Sequence, residues 1–433
     1  MVLEAKMRGL LKAISHALSG NLLAALFAFA STALYSRYLE GSDFGVLVLL
    51  QSYILVFAAL ANPQSWQGLI KFGAKYKDSD LDSFHSVVSI CAIQDFIYAL
   101  LGAILAVILA PFYVVFFELP GYLTRYLQLF SVVVFFSQIG LGIGVLRLAG
   151  KFSYVALHAV FAAALNLVVA LAASYFSLSL AEIITFMTLS MSIGALSLIA
   201  LGLFSLKRQF ISFDSIPLFK GTFDWRNVVK FNSYTHFTNM ADIPVRLLDT
   251  ILVGALLSVE SAGVYKIIRQ LGTIIDKFTG PVGQVLFPEF SMLLANNQLR
   301  KATALSSKVT LVVMAVSVPF SLLLAFTSSY WLPLVFGDYM SAYVWQLGVF
   351  FVLQAVTVSF MSIHPLFVAL GFVKQQLWLT ISLNVTFIVC TYYFSQYWAL
   401  FGIILALAVQ YFGTISVKLF MIKRTLNLTN IKN

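Results

Sequence analysis

Apolar residues run through this chain in long blocks, interrupted by short clusters of charge, proline and glycine. A run of about 20 mostly apolar residues is long enough to cross a bilayer as a helix. The interruptions divide the chain into helices at 13–35, 44–62, 86–111, 123–147, 154–176, 182–206, 232–256, 263–280, 305–327, 342–367, 377–395 and 399–421. This pattern predicts an all-α polytopic membrane protein with about 12 transmembrane helices. Residues 1–206 form an N-terminal six-helix lobe, 207–230 a cytoplasmic amphipathic linker, and 231–433 a C-terminal six-helix lobe. The linker mixes Lys207, Arg208, Lys220 and Arg226 with Phe210, Phe213, Phe219, Phe223 and Trp225, a composition suited to the headgroup boundary of a membrane.

Composition sharpens that picture. Hydrophobic residues make up 61% of the 433 positions and charged ones 10%, against about 25% charged in soluble domains, which excludes a soluble globular enzyme. The basic segment Met1 to Lys12 precedes an apolar run containing Ala28-Phe29-Ala30, superficially a signal-peptide cleavage site. That run is long enough to span, and its pattern recurs later, so it is read as the first helix. Cys91 and Cys390 lie in separate apolar runs, and His16, His85, His158, His236 and His364 show no ligand spacing. Neither a disulfide framework nor a metal cluster is expected. With no phosphate-binding loop or nucleophile motif either, the reading includes no cofactor and no enzymatic activity.

The net charge of +10 is mostly topology. Alternating sides along the predicted spans, 20 Lys and Arg fall on the side holding both termini and only Arg37 and Arg125 on the other. The positive-inside rule then places both termini in the cytoplasm. The basic excess is explained by orientation and anionic lipid, and nucleic acid is not an expected partner.

An internal duplication is also visible. An offset of 218 residues pairs Asn21 with Asn239, Leu39 with Leu257, Gly45 with Gly263 and Pro63 with Pro281. It also pairs Leu165-Asn166 with Leu383-Asn384 and Tyr175-Phe176-Ser177 with Tyr393-Phe394-Ser395. Six spans per repeat make the copies parallel, which predicts two six-helix lobes around a central cleft that opens alternately to either side. Pro63 and Pro281 are expected to kink helices two and eight.

Charged and polar residues inside spans are costly and therefore candidates for function. Helix seven carries Asn239, Asp242, Arg246 and Asp249, and helix eight carries Lys266, Arg269, Gln270, Thr273, Asp276 and Lys277. Both sets are spaced by three and four residues, which predicts one face on each helix. The corresponding first-half helix offers the uncharged Gln51, Ser52 and Asn62, so the cleft is expected to be charged on its C-terminal wall only. Arg246 is also close enough in sequence to Asp242 and Asp249 to be neutralised within its helix. Asp95, Asp242, Asp249 and Asp276 are candidates for salt bridges or for coupling transport to a proton or sodium ion.

The stretch Ser36-Arg37-Tyr38-Leu39-Glu40-Gly41-Ser42-Asp43-Phe44-Gly45 resembles the hairpin between the first two helices of polysaccharide-lipid flippases. Gly254 to Tyr265 resembles the same family's second-half hairpin, and Gly144 to Phe152 its basic cytoplasmic turn. With the span count and duplication, the whole chain resembles the O-antigen flippases of the multidrug/oligosaccharidyl-lipid/polysaccharide exporter superfamily. The resemblance implies a polyprenyl-pyrophosphate-linked oligosaccharide as substrate, carried from the cytoplasmic to the outer leaflet of a bacterial inner membrane. It also implies that Arg246, Lys266, Arg269 and Lys277 attract the pyrophosphate, while Gln51, Ser52, Asn62, Asn239, Gln270 and Thr273 hydrogen-bond sugar. Implied partners are membrane lipids and glycan polymerase and chain-length proteins, with the chain itself a monomer. A cation-coupled multidrug or small-molecule exporter of the same superfamily is the alternative, and a membrane glycan polymerase a more distant one, since no large outer loop is expected.

Overall fold

The structure is a computed structural model. It describes the backbone of residues 2–209, 224–240, 243 and 247–432, and side chains within 19–39, 41–208, 224–240, 243, 247–272 and 286–427. All secondary structure among the described residues is helical. Helices satisfy their own backbone polar groups, which hydrocarbon cannot do for them. In chain order they are α1 (Ser19–Leu39), α2 (Gly41–Tyr76), α3 (Leu81–Phe116), α4 (Leu123–Leu148), α5 (Phe152–Phe176) and α6 (Leu180–Arg208). There follow α7 (Trp225–Met240), α8 (Asp249–Leu256) and α9 (Val259–Ala295), then α10 (Leu299–Phe336), α11 (Asp338–Ala369) and α12 (Val373–Asn427). By length and composition, nine among the described residues, α1–α6 and α10–α12, suffice to cross a membrane. The protein is thus an all-α, multi-pass membrane protein.

Local sequence explains the helix ends. Gly41 joins α1 to α2 with φ +33°, a conformation that favours glycine. At the start of α6, Glu182 Oε2 accepts from Ser179 N at 2.8 Å and Ser179 Oγ accepts from Glu182 N at 3.4 Å, a reciprocal capping box. Asp80 caps α3 by accepting from Ser83 N at 3.1 Å, and Ser258 caps α9 by accepting from Ser261 N at 3.0 Å. Ala399, with φ +46°, divides α12 into two helices where the hydropathy pattern separates the last two spans.

The chain forms two compact units. Unit 1 comprises residues 1–39 and 46–248, and unit 2 comprises 40–45 and 249–433. The division differs from the boundary at 231 read from sequence, because α7 packs in unit 1. There Asn232 Nδ2 donates to Gln94 Oε1 of α3 at 2.7 Å, and Phe231 meets Phe72 of α2 edge-on with centroids 5.8 Å apart. In turn the residues up to Gly45 belong to unit 2, where Phe44 lies against Gly263.

Several expected helices are reshaped. Helix seven is not continuous over 232–256: it starts earlier, at Trp225, inside the expected linker, and α8 begins afresh at Asp249 after a turn at Leu247–Leu248. The sequence places Pro244, which has no N–H to donate, in that interval. Asn239 and Asp249 therefore do not share one helical face. Three further helices are interrupted: α2 between Leu60 and Ser65, α4 between Phe136 and Gly140, and α11 between Ser359 and Ile363. The first interruption contains Pro63. At Pro281 the helix runs on, and α9 is continuous from Val259 to Ala295. Linker residues 210–223 lie outside the described residues.

Candidate functional site

In unit 1 the interruptions in α2 and α4 form one polar region. Each break frees backbone groups, and side chains from other helices take them up. Gln138 Nε2, in the α4 break, donates to Ala58 O at 3.1 Å, in the last turn before the α2 break. Asn62 Oδ1 accepts from Gln64 N at 2.9 Å, and His236 Nδ1 of α7 donates to Asn62 O at 2.8 Å. Where α4 restarts, Leu141 N donates to Asp95 Oδ2 of α3 at 2.8 Å. Gly140 makes this approach possible. A Cβ there would press on Ser65 Oγ and stand 3.0 Å from Asp95 Oδ2. At the cytoplasmic end expected from sequence, the Arg147 guanidinium lies 4.3 Å from the Trp66 ring centroid, a cation–π contact.

The residues expected to bind sugar in this half are mostly engaged locally. Ser52 is buried and donates back to Val48 O at 2.8 Å. The Gln51 amide donates to Met187 Sδ at 3.6 Å, Asn62 serves its turn, and Asn239 is half-buried near the end of α7.

In unit 2 a buried ion pair lies between α8 and α9. Arg269 Nε stands 3.0 Å from Asp249 Oδ2, with side chains 20% and 4% exposed. Tyr265 OH donates to the same carboxylate oxygen at 3.0 Å, while Thr250 N donates to Oδ1 at 2.7 Å. Arg269 Nη1 donates to Tyr411 OH of α12 at 3.0 Å. Both charges are thus held by neutral partners on three helices, the condition under which a buried pair is tolerated. Lys266 is half-buried on the neighbouring flank of α9. Asp249 and Arg269 are its charged neighbours, and it makes no hydrogen bond or ion pair among the described residues. Gln270 follows it one turn on.

Of the charges expected on helices seven and eight, the structure brings Asp249, Lys266 and Arg269 together. It pairs Asp249 with Arg269 of the next helix, where the sequence reading offered Arg246. Asp242 and Arg246 lie outside the described residues, as do the side chains of Thr273, Asp276, Lys277 and Pro281. Sequence reasoning missed Tyr265, Thr250 and Tyr411 in unit 2 and Ser65, Gln138, Asn232 and His236 in unit 1. Gln94 beside Asp95 was the nearest available signal for the latter.

A sequence profile of the family described as "polysaccharide biosynthesis protein" matches residues 34–345. Among curated proteins, none matches. Among solved structures, the fold is similar to that of an inward-facing multidrug resistance MATE family transporter of the MOP superfamily. There the TM-score is 0.70 at 15% identity, covering 94% of this chain and 95% of the other. The lipid II flippase MurJ, in an inward closed conformation, superposes with a TM-score of 0.67 at 13% identity over 93% and 86% of the two chains. A MOP superfamily transporter from Pyrococcus furiosus gives 0.56 at 15% identity over 97% and 95%. The match over most of the chain shows that this chain belongs to the family described as polysaccharide biosynthesis protein, and its fold is shared with these solved transporters.

Proposed function

We propose that the chain is a flippase that carries a polyprenyl-pyrophosphate-linked oligosaccharide, an O-antigen or other surface-polysaccharide repeat unit, from the cytoplasmic to the outer leaflet of a bacterial inner membrane. The observation that carries this reading is the cationic site of unit 2, where Lys266 stands without an ion pair beside an Arg269 fixed by Asp249. A pyrophosphate crossing hydrocarbon needs cations held ready for it. Lys supplies a compact charge, and Arg a planar fork whose free edge suits phosphate oxygens. The Asp249 carboxylate and Tyr411 hydroxyl hold the guanidinium in place, so little ordering remains when an anion arrives. Family membership supports a glycan-linked cargo, and the fold shared with a lipid II flippase supports a lipid-linked one.

Gln51, Ser52, Asn62, Asn239, Gln270 and Thr273 are the proposed sugar contacts, and Arg246 and Lys277 the remaining headgroup contacts. Transport proceeds by alternating access with both termini cytoplasmic, and glycan polymerase and chain-length proteins take the product outside. Lys266→Ala at normal protein abundance is expected to lower surface polysaccharide, and flipping in proteoliposomes, by about tenfold or more. Wild-type flipping in that variant overturns the reading. Drug efflux by the wild-type chain in a sensitised host, without polysaccharide flipping, identifies it as an exporter instead.

A further inference from the structure

Lys418 departs from the way basic residues end a membrane helix. Such a lysine extends its ammonium to water while its stem covers apolar surface, and Lys423 and Arg424, further along α12, are exposed in that manner. Lys418 instead turns into unit 2 and is only 5% exposed. It occupies the inward stripe of α12, where Ile403, Leu407, Gln410 and Ile422 are its buried companions at helical spacing,. Its Nζ lies 3.2 Å from His364 Nδ1 of α11 and 5.8 Å from the Phe367 ring centroid. Phe290, Ile363, Phe367 and Ile422 belong to one apolar cluster at this end of unit 2.

This ammonium has no carboxylate to balance it. From Leu286 to Asn427 the chain carries seven Lys and Arg and two acids, Glu289 and Asp338. Glu289 is exposed, and Asp338 stands at the opposite end of α11 from His364. The ion pairs among the described residues, Lys77–Asp78 and Arg269–Asp249, do not include Lys418. A buried cation held by an imidazole and an aromatic face is costly, so an anion brought to it stabilises the fold. Lys has three N–H donors, and His364 takes one of them. The imidazole itself is exposed, so the pair opens outward at His364.

Depth narrows what that anion is. The last helix of α12 starts after Ala399. From Leu400 to Lys418 it rises roughly 27 Å at 1.5 Å per residue, close to the roughly 30 Å thickness of a hydrocarbon core. Lys418 therefore lies at headgroup level, where lipid phosphates are the prevalent anions and where basic pockets between membrane helices take them up. The ion pair of unit 2 is a different place. Tyr411, which accepts from Arg269, precedes Lys418 by two turns, roughly 10 Å deeper along the same helix.

We propose that Lys418 and His364 form a binding site for a lipid-borne phosphate at the membrane boundary, between α11 and the last helix of α12. The Lys418 ammonium supplies the charge and donates to phosphate oxygens, a charge-assisted bond. His364 positions that ammonium and forms the mouth of the site. A bound phosphate ties the short helix that follows the α11 break to α12. The site goes beyond the flippase reading and does not rest on it.

The test is native mass spectrometry of the full-length protein in detergent, titrated in separate arms with phosphatidylglycerol, polyprenyl phosphate and inorganic phosphate. One tightly bound lipid per chain is expected in at least one lipid arm, and the loss in the variants, rather than the total bound, reads this site. Lys418→Met keeps an apolar stem without the charge and should weaken that binding by about tenfold or more. His364→Ala should weaken it several-fold, and reads the site independently if Lys418→Met does not fold. Lys423→Ala should bind within about twofold of wild type. The arm in which the loss appears names the source, a bilayer phospholipid or the polyprenyl carrier. The proposal is overturned if neither lipid binds saturably, or if Lys418→Met and His364→Ala both bind as the wild type does. It is equally overturned if Lys423→Ala loses as much as Lys418→Met, which marks a diffuse basic surface, or if inorganic phosphate competes as well as lipid. None of the arms measures flipping, so this outcome is separate from that of the flipping assay.

Discussion

Each unit interrupts a long helix, and each repairs the interruption with different chemistry. In unit 1 the restart of α4 is met by a carboxylate, through Leu141 N and Asp95 Oδ2 at 2.8 Å. In unit 2 the break in α11 is met by hydroxyls. Ser362 Oγ lies 2.9 Å from Ser306 Oγ and donates to Ser306 O at 3.1 Å, with Thr310 Oγ1 3.3 Å away. Ser317 Oγ adds contacts to Ala355 O and Ser359 Oγ, each at 3.2 Å. Neutral hydroxyls are therefore sufficient to hold α11 to α10 across such a break. A carboxylate in the same role brings a desolvation cost that the fold does not require, which is why Asp95 stands out from the structural polar groups. Unit 2 places its buried ion pair elsewhere, on α8 and α9. Both units interrupt a long helix, but among the described residues a carboxylate lies beside the interruption only in unit 1.

The largest effect should come from breaking that pair. Arg269→Ala leaves Asp249 buried and uncompensated, at an expected cost of about 3–5 kcal/mol in detergent unfolding. Adding Asp249→Asn should recover most of it, because no carboxylate is then left buried, Thr250 N keeps an oxygen acceptor and Tyr265 OH can accept from the new amide. If the double variant is no more stable than the single one, Arg269 contributes through packing rather than charge.

Next in size is a comparison of two glycines in interrupted helices. Gly140→Ala forces a methyl against Ser65 and Asp95 and should destabilise by about 1–3 kcal/mol. Gly348→Ala in α11 would meet only Ala325 Cβ, at 3.5 Å, and should stay within about 0.5 kcal/mol of wild type. Equal losses would mean that the crowding at Gly140 is not special to the Asp95 site. Ser362→Ala should cost about 1 kcal/mol, since Ser306 and Thr310 retain each other's neighbourhood and no charge is stranded.

The sequence made some of this legible and not the rest, for physical reasons. Long apolar runs announce spans because hydrocarbon leaves the backbone few choices. The turn at Gly41 and the interruption at Pro63 carry their own residue signals. The break in α4 has no proline, and Ser137, Gln138 and Gly140 are brief interruptions of an apolar run, so the sequence marks it only weakly. Pro281 carries the same signal as Pro63, yet α9 continues through it. A proline thus reports a lost N–H, while tertiary packing decides whether the helix stops. The site partners were least visible: Arg269 and Tyr411 are 142 residues apart, and Asn232 and Gln94 are 138 apart. Spacing within one helix identified Arg269 and Lys266 as notable, but contacts between helices leave no periodic trace. The placement of α7 in unit 1 was hidden for the same reason.

The smallest effect lies outside the membrane and contrasts two capped helices, α3 in unit 1 and α9 in unit 2. Asp80 caps α3 as a carboxylate, with bonds from Ser83 N at 3.1 Å and Ser83 Oγ at 2.5 Å. Those bonds favour the charged form and hold its pKa below the ordinary carboxylate value,. A group with a lowered folded pKa contributes stability that is fully present above its unfolded pKa, about 3.9, and is lost as pH falls through the folded value. The contribution of Asp80 should therefore be constant through neutral and mildly acidic pH and decline only on the acid side. Ser258 caps α9 with a hydroxyl and has no proton to gain in that range. Asp80→Asn keeps an acceptor for Ser83 N but removes the titration, so its unfolding curve should part from wild type only at low pH. Ser258→Asn should run parallel to wild type throughout. If Asp80→Asn and wild type stay parallel down to that range, the hydroxyl and backbone bonds at Ser83 do not distinguish the charged carboxylate from the neutral one, and the two caps are equivalent.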